Sequence, residues 1–196
     1  MKRYKEKAEE SFKTKLDLFV FDRIVNGLKI NLEEYPLFEI TEEIVENYTA
    51  RFWQLPREYK FANSKTIDSI YYEMKNIKKE NESSIQQLEK AYVENVFPKL
   101  FPKDHFLEMV EKNNCAYCDI TIEEIKQLAL NKKIFNKNER GGVLEIDRIN
   151  SNFEYSKTNC VMACYWCNNA KTDEFTYDEF VKIGKSIKEV WMNRSS

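Results

Sequence analysis

Residues able to do chemistry cluster around two Cys-x-x-Cys pairs, Cys115-Ala-Tyr-Cys118 and Cys164-Tyr-Trp-Cys167. Thiolate is a soft ligand, and two intervening residues let a tight turn aim both sulfurs at one ion. Two such turns separated by a folded insert present four thiolates tetrahedrally at ~2.3 Å from zinc. Cys115, Cys118, Cys164 and Cys167 are therefore read as one structural Zn2+ site. The competing readings are unrelated buried pairs, or a redox dithiol, which leaves the second pair unexplained. The remaining cysteine, Cys160, lies in an apolar run and reads as a small core residue.

Between the pairs runs an apolar strand, Leu144-Glu-Ile-Asp147, then Arg148, a polar loop and Asn159. Asn168 and Lys171 follow directly on the second pair. In this order, Cys-x-x-Cys, Leu-Glu-Ile-Asp, Tyr and Asn, and Cys-x-x-Cys-Asn-x-x-Lys resemble the zinc-containing HNH endonucleases, ββα-metal nucleases on a treble-clef zinc scaffold. The resemblance spans roughly residues 110–194 and does not reach the first hundred. It implies that Asp147 and Asn168 are oxygen ligands of a catalytic divalent cation, Mg2+ or Mn2+, as a hard cation requires. It also implies that Asn159 braces the loop and orients the strand, and that Lys171 meets a phosphate. In such chemistry the cation stabilises charge on the scissile phosphate and the leaving oxygen, while a base activates water.

The chain departs from the family at one position, reading Asp147-Arg148 where the family reads Asp-His. Arginine is not deprotonated in proteins, so Arg148 cannot be the base; the role open to it is to clamp a phosphate. The base then passes to Glu145, two residues before Asp147 on the same strand face, to a second metal-bound water, or to the N-terminal region. The single histidine, His105, reads as an ordinary surface residue of a helix. Lys132, Lys133, Lys137, Arg140 and Lys157 flank the site and either line a nucleic-acid path or form a solvated face. Tyr165 and Trp166 either stack on a base or pack under the zinc knuckle. The bland alternative for Asp147 and Asn168 is that they only shape a turn and cap a helix.

The elements that must position these residues are legible in the periodicity. Ala8, Phe12, Leu16, Phe19, Val20 and Ile24 make one helical face over 3–26, and Gly27 is a stop signal. Residues 28–32 alternate like a short strand, and Pro36 breaks what precedes it. Thr41 opens a helix striped by Ile44, Tyr48 and Phe52 and ended at Pro56. A helical pattern runs from Ser64 through Ile77 and resumes at Ile85 through Val96, read as two helices in a hairpin or one helix with a solvated middle; Asn81, Ser83 and Ser84 at the break favour the hairpin. A short helix over 102–113 precedes the first cysteine pair. Capping boxes at Thr121-Ile-Glu-Glu124 and Thr176-Tyr-Asp-Glu179 open two more helices, the last striped by Phe180, Ile183, Ile187, Val190 and Trp191. Strand 143–149 follows a polar loop over 132–142 and pairs with residues 160–163. A short helix begins at Cys164 or Cys167.

With 42% hydrophobic and 33% charged residues the chain is globular rather than disordered. Only four glycines and four prolines, beside abundant Glu, Lys, Ile and Leu, point to helix. A net charge of −2 excludes the global basic field of proteins that bind long DNA unaided, though a nuclease needs only a local basic lining. No apolar run reaches membrane-spanning length and no signal peptide is evident, so a cytoplasmic protein is expected. There, paired cysteines are more often metal ligands than disulfides.

The expected fold is mainly α with a small β-hairpin: a helical N-terminal region over 1–105, then a zinc-stabilised ββα-metal module (HNH, treble-clef) over 106–196 closed by a helix. The resemblance implies a metal-dependent endonuclease hydrolysing phosphodiester bonds of DNA. Small proteins of this kind occur in phages, mobile elements and bacterial defence systems, often beside a separate ATPase. The acidic balance suits a subunit delivered to DNA by such a protein partner. From another class, the alternative is a treble-clef module that has lost catalysis and holds nucleic acid or protein. Arg148 favours the second reading; the joint presence of Asp147, Asn159, Asn168 and Lys171 favours the first.

Overall fold

Helix α1 (Lys2–Val25) forms because its apolar residues recur on one face, and Ala8, Phe12, Leu16, Phe19, Val20 and Ile24 are all buried. It ends where the sequence signals: Gly27 takes φ 66°, its N–H bonds Ile24 O at 3.2 Å, and the Leu28 N–H bonds Arg23 O at 2.8 Å. That paired bonding is a Schellman stop, and the left-handed residue suits glycine. The computed structural model describes residues 2–46, 56, 58–61, 63–135, 140–172 and 174–195. It divides into two compact units, Met1–Leu100 with Asn152–Glu154, and Phe101–Ser151 with Tyr155–Ser196.

In the first unit the strand expected over 28–32 is absent. Asn31 instead accepts the Glu33 N–H and starts a 3-10 turn, Leu32–Leu37, with Pro36 inside it rather than breaking it. Five alternating residues without a pairing strand cannot satisfy their backbone, whereas Asn31 caps the turn locally. Helix α2 (Glu42–Val45) begins at Thr41, whose hydroxyl accepts the Ile44 N–H. Tyr48 and Phe52, expected to continue its stripe, lie outside the described residues. Helix α3 (Ile67–Glu80) starts at a Thr66 cap, slightly later than expected. The hairpin expected next is also corrected: only Asn81 separates α3 from α4 (Glu82–Ala91). The Asn81 N–H bonds Ile77 O at 3.1 Å and the Ile85 N–H bonds Asn81 O at 2.9 Å. The helical ladder thus passes through Asn81, and no loop remains in which the chain could reverse. A π turn at Tyr92–Val96 and helix α5 (Phe97–Leu100) close the unit.

The core of this unit is aromatic, with Phe12 against Tyr35 at 5.4 Å and Tyr92 at 5.7 Å between ring centroids. It also buries a polar knot. The Tyr92 hydroxyl donates to Glu154, and the ammonium of buried Lys15 lies 5.3 Å from the Tyr35 ring centroid. Burial pushes the Glu154 carboxyl above its ordinary range, opposed by the Tyr92 bond and by Lys15.

In the second unit, α6 (Lys103–Val110) leads to the first cysteine pair and packs on the hairpin strand β2 (Cys160–Ala163). Helix α7 (Ile122–Leu130) opens with the full reciprocal capping box of Thr121 and Glu124. Strand β1 (Glu145–Arg148) pairs antiparallel with β2, in the register Glu145 to Ala163 and Arg148 to Cys160. Helix α8 (Tyr165–Lys171) follows β2 after one residue. Helix α9 (Tyr177–Ser195) is capped by Thr176, which exchanges bonds with Glu179. Its buried stripe differs from the expected one. Phe180, Gly184 and Trp191 face inward, whereas Ile183 and Val190 are 37% and 45% exposed. The reason is a close approach: a Cβ on Gly184 would sit 2.3 Å from the carbonyl oxygen of Tyr117. Where the knuckle touches α9, only glycine fits. Among the described residues no helix is long and apolar enough to cross a membrane.

Two outcomes follow from this packing. Gly184→Ala should destabilise the second unit by about 1–3 kcal/mol, because backbone and not a flexible side chain must give way; urea unfolding measures it. Glu154 binds its proton more tightly folded than unfolded, so its contribution improves as pH falls through the raised pKa. The melting temperature of wild type relative to Glu154→Gln should therefore rise as pH falls from 7 towards 5, and a difference independent of pH would refute the raised carboxyl.

Candidate functional site

Cys115, Cys118, Cys164 and Cys167 are all buried, and their four sulfurs lie within 4.8 Å of one another. A tetrahedron with ~2.3 Å zinc–sulfur bonds has sulfur–sulfur edges of ~3.8 Å. Sγ of Cys118 lies 3.7 Å from Sγ of Cys164, far longer than a disulfide, and none of the cysteines is bridged. The donor set and its dimensions fit a tetrahedral metal ion. Local structure prepares each turn. In the first, the Cys115 N–H bonds Ile120 O at 3.0 Å, the Asp119 N–H bonds Cys115 O at 2.8 Å, and Asp119 takes φ 57°. In the second, Cys164 caps α8, its sulfur accepting the Cys167 N–H at 3.4 Å. The two turns are joined through β2, where the Ala116 N–H bonds Met162 O at 2.8 Å. The neighbouring thiols draw Cys115 and Cys118 below the ordinary thiol range and push Cys164 and Cys167 above it. The four sulfurs therefore do not ionise alike, and a bound dication is what would let all of them do so. Cys160 is buried on β2 outside this cluster.

Glu145 and Asp147 alternate onto one face of β1. Asn168, on the first turns of α8, reaches that face: its Nδ2 donates to Glu145 Oε2 at 2.7 Å. Glu145 is also gripped by Arg140, Nε to Oε1 at 2.8 Å and Nη2 to Oε2 at 2.6 Å. The Arg140 guanidinium in turn lies over the Tyr165 ring, 4.9 Å from its centroid. Asp147 Oδ2 accepts from the Tyr117 hydroxyl at 2.7 Å and lies 3.8 Å from the Lys171 ammonium. Burial pushes the Asp147 carboxyl above its ordinary range, against the pull of Tyr117 and Lys171. Burial and the facing Asp147 push the Tyr117 phenol up as well. Two carboxylates and a carboxamide on one face form an oxygen donor set of the kind a hard divalent cation takes.

The other expected residues are placed as follows. Asn159 exchanges two bonds with the backbone of Asn150: its Oδ1 accepts the Asn150 N–H at 2.9 Å and its Nδ2 donates to Asn150 O at 3.0 Å. That closes the loop after β1. Arg148 lays its guanidinium over the Tyr155 ring at 4.8 Å. Lys171 departs from the expected phosphate contact. It is 2% exposed, and its ammonium donates to Arg148 O at 3.0 Å, so it anchors the end of β1 from within. His105 stays local, 3.8 Å from Glu108 on its own helix. Trp166 packs on Trp191 at 5.2 Å, as its packing alternative anticipates. Lys132, Lys133 and Lys157 are exposed, and Lys137 lies outside the described residues. Two partners escape sequence reasoning. Tyr117 sits between two cysteines and looks like knuckle filler, and Arg140 looks like one more basic loop residue. The signal for Tyr117 is that a residue between ligands is held as rigidly as the ligands.

No family model matches the chain, and no curated protein matches it. Among solved structures it is similar to the rare-cutting HNH restriction endonuclease PacI, at 27% identity and a TM-score of 0.42. That likeness covers 48% of this chain and 66% of the other, and the functional reading rests on this chain's own residues.

Purified without chelator, the chain should carry zinc at a ratio near one, read by atomic emission. Cys118→Ser should lower zinc content and unfold the second unit, because the free energy of binding such an ion is largely folding free energy. Full secondary structure and an unchanged melt in a metal-free sample would contradict this.

Proposed function

We propose that this chain is a metal-dependent endonuclease that hydrolyses phosphodiester bonds of DNA, with a helical N-terminal region over 1–105 and a zinc-stabilised ββα-metal module of HNH, treble-clef type over 106–196. One observation carries the reading: a hairpin and helix tied to a four-thiol cluster bring Glu145, Asp147 and Asn168 to one face. Residues fixed for structure alone would have no need to gather two carboxylates and an amide beside buried Lys171. Asp147 and Asn168 are the proposed ligands of Mg2+ or Mn2+, with Glu145 adjoining them. Such a cation supplies charge stabilisation at a scissile phosphate and a nucleophilic water at neutral pH.

The chain's own residues then divide the remaining work. Tyr117 and Lys171 hold Asp147 in one orientation from the zinc knuckle and from α8. Asn159 fixes the loop that returns the chain to β2. Arg148 can contribute a positive charge to a bound phosphate but no proton acceptor. Glu145 is the proposed acceptor at the site, although it is ion-paired with Arg140. This arrangement suits a slow enzyme or one activated on a partner, such as a separate ATPase in a phage, mobile-element or defence setting. The second reading, a treble-clef module that binds nucleic acid or protein without cutting, is favoured specifically by Arg148 standing where a histidine would act.

The zinc-loaded chain should nick supercoiled plasmid when Mg2+ or Mn2+ is added. Asp147→Ala and Asn168→Ala should each lower the rate by at least about a hundredfold, the scale on which positioned acid–base and charge-stabilising groups act. Plasmid retained in a gel shift but never cut, with either metal, would replace the nuclease by the binding module.

A further inference from the structure

The two carboxylates on the β1 face carry different kinds of countercharge. Asp147 has Lys171, whose side chain is 3% exposed and whose ammonium is tied to the carbonyl of Arg148. Withdrawing Lys171 would strand a buried ammonium, so it is a fixed part of the fold. Glu145 has Arg140, whose side chain is 52% exposed. The pair is bidentate and Glu145 is only 18% exposed, but the guanidinium itself is open to water, so of the two cations it is the one able to leave.

Arg140 also occupies both oxygens of Glu145, and Oε2 is the same atom that Asn168 touches. A dication entering between Glu145, Asp147 and Asn168 would meet the guanidinium at short range and be repelled by it. A phosphodiester arriving with the cation changes the balance, because it brings negative charge and the planar oxygen pair that a guanidinium fork fits. The Tyr165 ring, 4.9 Å from the guanidinium, offers a surface on which Arg140 can turn without leaving the site.

We propose that Arg140 is an exchangeable countercharge, holding Glu145 until a divalent cation and a nucleic-acid phosphate arrive together, then moving from the carboxylate to the phosphate. This rests on the cation site proposed above. It makes cation and nucleic acid bind cooperatively, and linkage requires each to strengthen the other by the same factor. Bare cation is held poorly, so hydrolytic capacity is assembled only on a polyanion.

The test is Mn2+ binding by the zinc-loaded full chain, read from loss of the free aqueous Mn2+ resonance. Wild type is compared with Arg140→Ala, Arg140→Gln, Asp147→Ala and the double variant Arg140→Ala with Asp147→Ala. Zinc content and thermal melting check that each is folded. Without DNA, both Arg140 variants should bind Mn2+ about fivefold or more tighter than wild type, the lower end of ordinary coupling, and the double variant should lose the gain. A short duplex, followed by fluorescence anisotropy, should be bound tighter by wild type when Mn2+ is added, and Arg140→Ala should erase that enhancement. A residue that merely pinned its loop would lower melting temperature without tightening Mn2+ binding. If Asp147→Ala weakens Mn2+ binding while the Arg140 variants match wild type, the exchangeable countercharge is wrong and the cation site stands. If all five proteins bind Mn2+ alike, the cation site falls and the countercharge with it.

Discussion

Closure of four sulfurs within 4.8 Å is the constraint on which the second unit depends. The two Cys-x-x-Cys turns are far apart in sequence, and the sheet between them has only two strands. So small a sheet buries too little apolar surface to hold itself, and the four-thiol cluster is placed to make up the difference with a bound ion. The consequence reaches past the ligands. Tyr117, held between Cys115 and Cys118, directs its hydroxyl to Asp147 and leaves its carbonyl against Gly184 of α9. One residue of the knuckle thereby sets a carboxylate of the candidate site and the seat of the closing helix.

Electrostatically, the site is costly as it stands. Asp147 is buried enough for its carboxyl to be pushed up despite a phenol donor and a nearby ammonium. A fold selected for stability alone would replace such a carboxylate with an apolar or amide side chain. Lys171, almost wholly buried, compounds the cost unless its ammonium stays bonded, and it reaches both Asp147 and the Arg148 carbonyl. Electrostatic cost of this kind, placed beside an oxygen donor set, is consistent with the proposed cation site.

The extent to which these features were legible in sequence follows their range. Caps are local, so Thr121 with Glu124, Thr176 with Glu179 and the Gly27 stop were readable from a few residues. The cysteine cluster was readable because doubled spacing carries long-range information in a motif. The break near Asn81 leaves hairpin and continuous helix both open, because turn-forming residues are also tolerated in helices and no local signal says whether the ladder continues. The stripe of α9 was misread because Gly184, without a side chain, registers as a gap in the pattern although it marks the closest contact. The burial of Lys171 is hidden for a related reason: charge predicts exposure, and only the tertiary fold reveals the carbonyl and carboxylate beside it.

The absence of histidine after Asp147 acquires its meaning from strand geometry. Successive residues of β1 point to opposite faces, so the stem of Arg148 leaves the face shared by Glu145 and Asp147, and its guanidinium lies over Tyr155. Its backbone matters to the site as much as its charge, since Lys171 grips the Arg148 carbonyl and not its side chain. On the proposed reading proton acceptance on the β1 face passes to Glu145, and that carboxylate is already bonded to a guanidinium and an amide. A carboxylate so engaged is a weaker base than a free one, because donors to its charged form disfavour its protonation. Of these bonds, the pair from Arg140 is the one made by an exposed side chain. In the resting fold this face thus carries a displaceable countercharge on its carboxylate, and the proposed chemistry would begin with the movement of that charge.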